Sequence, residues 1–177
     1  MKKPLQKFGT TRYKLKLFTC WLLLLTGLGT ALAYDGFSLG IFGSTSVGGS
    51  AVLNARAVYP LSELPIPGEP LQLSVRADVS QALTSGSLPA IAASVLLSGR
   101  DPIDPTIETY LGLGTGLSFV PSPLQGPLVS FQLFTGARVP LAERLHGVVE
   151  LNLSGSGTDF LAPSIGLGLE YRLGGSQ

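Results

Sequence analysis

Residues 34–177 contain no lysine, cysteine, tryptophan or methionine, and only one histidine, His146. The lack of cysteine excludes a disulfide framework and a thiolate metal site. Without lysine, six arginines face eleven acidic residues, a formal charge of −5. No basic patch is left to hold nucleic acid or an anionic membrane surface. Charged residues make up only 13% of the whole chain, and six of them lie before residue 34. That is sparse for a domain whose polar face must keep it in water. A sustained helical stripe is also missing after residue 33.

What is present begins with a leader. Residues 1–16 carry Lys2, Lys3, Lys7, Arg12, Lys14 and Lys16 and no acidic residue. An apolar run follows, ending at Ala31-Leu32-Ala33. A basic head, an apolar middle and an A-x-A end read as a secretory signal peptide cut after Ala33. The run is short for a membrane span, and Gly27 and Gly29 interrupt it. Cys20 lies within it, but the preceding Leu-Phe-Thr lacks the small residues of a lipoprotein site. Residues 1–33 are therefore expected to be removed, leaving one domain over 34–177.

The dominant pattern in that domain has period two. In LQLSVRADVS (71–80), Leu71, Leu73, Val75, Ala77 and Val79 alternate with Gln72, Ser74, Arg76, Asp78 and Ser80. Such alternation describes a strand with one oily and one wet face. It recurs in 50–59, 107–119, 128–139, 147–154 and 164–173, and more weakly in 36–43 and 90–98. About eight strands of roughly nine to eleven residues follow, the length a tilted strand needs to cross a bilayer. Between them lie stretches rich in Gly, Pro, Ser and Asp, among them 60–70, 99–106 and 141–144. These are too short for parallel crossovers, so the strands are expected to run antiparallel, up and down.

The wet face collects Arg56, Arg76, Asp78, Glu108, Arg138, Glu150, Glu170 and Arg172, four cations and four anions. The rest of it is largely Asn, Gln, Ser and Gly, with Tyr110 beside Glu108, while the other face is almost wholly aliphatic or aromatic. An oily interior would have to be filled by side chains, with the charges left to water. Turned inside out, the apolar face meets hydrocarbon and closure removes the sheet edges. The eight charges then line an enclosed lumen and are expected to neutralise one another as a structural ion-pair network. With both termini on one side, Phe37, Tyr59 and Tyr171 fall at one rim, and Phe119 and Phe160 at the other.

In these features the chain resembles the small eight-stranded outer-membrane barrels, the OmpA/OmpX/OmpW-like group, over residues 34–173. The resemblance rests on the leader, the eight alternating strands and the closing GLGLEYRL (166–173). It implies an all-β, antiparallel transmembrane barrel in the bacterial outer membrane. Its partners would be outer-membrane lipid and, during biogenesis, the barrel assembly machinery; a monomer is expected. Members commonly end in an aromatic residue, whereas this last strand closes Tyr171-Arg172-Leu173 before Gly-Gly-Ser-Gln. The expected role is structural, in envelope integrity, with the lumen plugged by ion pairs. The rival readings are a narrow passive channel for small solutes and a soluble exported barrel, lipocalin-like, binding an apolar ligand.

No catalytic, cofactor or metal residue is assigned. Barrels resembling lipid A deacylases or palmitoyltransferases need His near Ser and a carboxylate at the outer rim. His146 lies instead beside the turn at 141–144, where a solvated turn histidine is the expectation. Glu108, Glu150 and Glu170 share their face with arginines, so pairing takes precedence over acid/base work. The glycines of GLGTGLSF and GLGLEY sit inside strands, with no helix or lysine following. Asp101 and Asp104 in DPIDPT read as turn formers rather than calcium ligands.

Overall fold

The structure is a computed structural model that describes residues 36–46, 49, 51–67, 69–84, 88–119, 127–156 and 162–174. The leader and Phe160 lie outside the described residues. Eight strands follow in chain order. They are β1 (Phe37–Ser46), β2 (Ala51–Leu64), β3 (Leu71–Ala82), β4 (Ala90–Arg100), β5 (Glu108–Ser118), β6 (Leu128–Pro140), β7 (Leu145–Ser156) and β8 (Ala162–Leu173). Each pairs antiparallel with the next, and β1 pairs with β8, so the sheet closes into a barrel. Closure leaves no sheet edge along the wall, which an open sheet of this length would expose.

Alternation decides which way each side chain points. Leu113, Phe131 and Leu167 are 67%, 65% and 63% exposed, whereas Arg76 and Glu150 are 3% and 2% exposed. The oily face is therefore outside and the charged face inside. The interior is ionic and aromatic, where the lipocalin-like reading expects an apolar cavity. Among aromatics placed at the rims, Phe119 and Tyr171 are exposed, but Phe37 is buried.

The barrel has two unlike ends. The turns β2–β3, β4–β5 and β6–β7 share one end with the start of β1 and the close of β8, here called the turn end. β2 runs five residues further toward it than the alternation over 50–59 suggests, and Leu61 forms a bulge in it between Pro60, opposite Ser74, and Ser62, opposite Leu73. Pro60 and the extra residue break the period-two pattern, which is why 60–64 reads as a turn in the sequence. Pro60 fits because it lies past Val58, the last residue β1 pairs in its register with β2. The β4–β5 turn is shaped by side chains: Asp101 Oδ1 accepts from the amides of Ile103 and Asp104 at 2.8 and 3.1 Å. Asp104 accepts from the amide and hydroxyl of Thr106, which hold its carboxyl below the usual range. These are turn-forming contacts of the Asx type.

Candidate functional site

The inward side chains of the turn-end half and the middle of the barrel form two charge clusters. In the central one, β2 and β3 supply Arg56, Arg76 and Asp78, and β7 on the facing wall supplies Glu150. Asp78 lies 3.0 Å from Arg56 and 2.6 Å from Arg76, and Glu150 lies 3.0 and 2.8 Å from the same two guanidinium groups. Every member is buried. Two cations and two anions, each bonded to both opposite charges, leave no net charge to solvate. The two bonds to Glu150 cross the lumen and tie opposite walls, while the two to Asp78 link β2 with β3 and brace β3 itself.

The rim cluster lies nearer the turn end. Arg138 pairs with Glu108 at 2.6 Å and with Glu170 at 3.1 Å. Arg172 closes on Glu108 from β8, and the hydroxyl of Ser38 donates to Glu170 at 2.7 Å. This cluster too is neutral, but its Arg172 side chain is 40% exposed at the mouth. All eight charges assigned to the lumen thus fall into two groups of four, with no ion pair between the groups among the described residues.

Aromatic and aliphatic side chains pack around and between the clusters. The guanidinium carbon of Arg56 lies 4.4 Å from the centre of the Phe42 ring, that of Arg76 3.6 Å from Phe134, and that of Arg138 4.6 Å from Tyr110. A ring face attracts a cation and excludes water from its flank, complementing the carboxylates at its edge. Phe42, Val58, Leu96, Tyr110, Phe134 and Val148 form one buried apolar group. Glycines make room for the rings. A Cβ at Gly166 or Gly168 would fall on Phe42, and one at Gly112 on Phe134.

Beyond the central cluster, toward the other end, packing loosens. A cavity of about 70 Å³ is lined by Ser44, Asn54, Ser80, Gln132, Asn152 and Ser164, with the central charges as its floor. That is space on the order of a few waters. Among the described residues, charges and rings therefore occupy the lumen from the turn end to its middle, and a short polar recess lies beyond them.

Solved structures with this geometry exist. The N-terminal β-barrel domain of Pseudomonas aeruginosa OprF is similar over 77% of this chain and 96% of its own, at 12% identity and TM-score 0.53. The outer membrane enzyme PagL is similar over 76% and 99%, at 9% identity and TM-score 0.54. A de novo designed barrel, TMB2.3, is similar over 80% and 96%, at 16% identity and TM-score 0.50. The chain shares the fold of small outer-membrane barrels. No family model and no curated protein matches it. At these identities the likeness carries architecture alone, and the activity of PagL stays with PagL.

Within this outer-membrane-type barrel, the sequence placed Tyr110 inward but overlooked the two inward phenylalanines. Phe42 and Phe134 share parity with Ser44 and Gln132, so the alternation that assigned the charges also reaches them. His146 differs from expectation. It is the second residue of β7, shares the inward parity of Val148 and Glu150, and pairs in register with Glu170. Its side chain is half-buried at the start of β7, with Nδ1 enclosed and without a hydrogen-bond partner among the described residues. Among the described residues no group of three His, Cys, Asp or Glu side chains is placed to hold a metal.

Proposed function

We propose that this chain is exported, loses residues 1–33 and spans the outer membrane as a closed structural barrel that contributes to envelope integrity. The observation that carries the reading is the filled lumen. Among the described residues, two neutral clusters and the rings on their guanidinium groups reach across the barrel, with a recess of about 70 Å³ beyond them. A conducting barrel of eight strands would need that width for water. The outward aliphatic band supports outer-membrane lipid as the surrounding medium, because nothing else would cover it in a monomer. Insertion by the barrel assembly machinery completes the proposal, with both termini on the periplasmic side.

Two measurements test it. In planar bilayers at neutral pH the folded protein holds a silent baseline; regular single-channel steps favour the narrow-channel reading instead. On electrophoresis of the membrane fraction, unboiled protein migrates differently from boiled protein. Recovery in the aqueous periplasmic fraction without detergent overturns the membrane assignment.

A further inference from the structure

The two charge clusters share no ion pair, yet one side chain touches both. The hydroxyl of Tyr110 donates to Glu150 Oε2 of the central cluster at 2.9 Å. The guanidinium of Arg138, in the rim cluster, lies 4.6 Å from the centre of the same ring. The ring also meets Phe134 edge-on, 6.2 Å between centroids at 63°, and Phe134 carries Arg76 of the central cluster on its face. Tyr110 therefore meets both clusters, the rim through its ring face and the centre through the hydroxyl that bonds Glu150.

The ring has little freedom to move. Tyr110 faces Gly136 across the β5–β6 pair, and a Cβ at Gly136 would fall 2.5 Å from the Tyr110 oxygen and 2.5 Å from the Val149 carbonyl. The absent side chain is the space the phenol occupies. A phenylalanine would pack the same volume without a buried hydroxyl that needs an acceptor. The hydroxyl is thus an added link, aimed at the carboxylate that both central arginines share.

We propose that Tyr110 couples the rim and central clusters, so that the lumen's two locks hold and release as one unit. The inference rests on the reading that these clusters close the lumen. While Arg138 is held by Glu108 and Glu170, it presses on the ring and keeps the hydroxyl on Glu150. Once the rim pairs break, the ring loses that cover, and the bond restraining Glu150 weakens with it. Tyr110 is a positioning residue between charges it does not neutralise.

A double-mutant cycle tests this on the folded protein in detergent, reading the unfolding rate from the change in gel mobility. Glu108→Gln breaks the rim cluster and Asp78→Asn the central one, alone and together. Sites without shared partners multiply their effects on rate within about twofold. Here the double variant is expected to depart from the product of the singles by about fivefold or more. In a Tyr110→Phe background, which keeps the ring beneath Arg138, the product is expected to hold within twofold. Additive behaviour in the parent, or a departure that survives Tyr110→Phe, overturns the coupling. Should Glu108→Gln not fold, Arg172→Gln at the mouth breaks the same cluster with less burial. Channel steps from the unmutated protein would overturn the closed lumen, while a non-additive cycle would still uphold the coupling. A silent parent with an additive cycle overturns the coupling alone.

Discussion

At the scale of the residue, the lumen depends on pairs in which one side chain is present because another is missing. Phe42 lies flat under Arg56 only because Gly166 and Gly168 on β8 carry no Cβ. Replacing Gly166 with alanine puts a methyl group into the ring, and the ring is trapped beneath a guanidinium that is itself bonded to Asp78 and Glu150. Overpacking of this kind costs about 1–3 kcal/mol. Gly43→Ala on the outward face is the control, since its nearest atom would be 3.9 Å away. The midpoint of heat-induced gel shift should fall for Gly166→Ala and stay near the parent for Gly43→Ala. Equal midpoints would show that the ring and its cation are free to move together. The sequence displays the alternation that sends Phe42 inward, but not this fit. Gly166 is 124 positions from Phe42, and only the β1–β8 register brings them together.

At the scale of the element, most strands were legible because their residues obey a single period from end to end. β3 is the clearest: five polar and five apolar residues alternate over 71–80, and the strand extends over Leu71–Ala82. β2 shows where legibility stops. Its bulge at Leu61 shifts the pattern by one, so the end of the strand looks like turn although Ser62, Glu63 and Leu64 pair with β3. Those residues lie beyond the end of β1 and so have a neighbour on one side only among the described residues. Backbone groups in a singly paired strand open more readily than those in a doubly paired one. Hydrogen exchange should therefore find the amides of residues 61–64 faster as a group than those of residues 54–58, which pair with both β1 and β3. Equal protection would mean that another segment covers the β2 edge in the folded protein. Partner choice within the lumen was illegible for a related reason. Parity gives eight inward charges, but which of them meet depends on how far neighbouring strands are staggered, and stagger is a property of the closed ring.

At the scale of the whole molecule, the question is whether the buried charges stabilise the barrel or only close it. Four ions in the central cluster have been taken out of water, and the return is a set of bonds between 2.6 and 3.1 Å. Such networks roughly break even against apolar packing, whereas removing one partner costs about 3–5 kcal/mol because the rest are left uncompensated. Arg56→Met would leave Arg76 alone between two buried carboxylates and should lower the unfolding midpoint steeply. Replacing the set together is a different experiment: Arg56→Met, Arg76→Met, Asp78→Leu and Glu150→Leu, with Tyr110→Phe so that no hydroxyl loses its acceptor. That variant buries no charge in the middle of the lumen and should unfold at or above the parent's midpoint. It should also remain silent in a bilayer, since apolar side chains fill the same width. A five-residue variant less stable than Arg56→Met alone would mean that the charges contribute net stability. In that case the ion pairs hold the opposite walls of the barrel together, and closure of the lumen follows from that role.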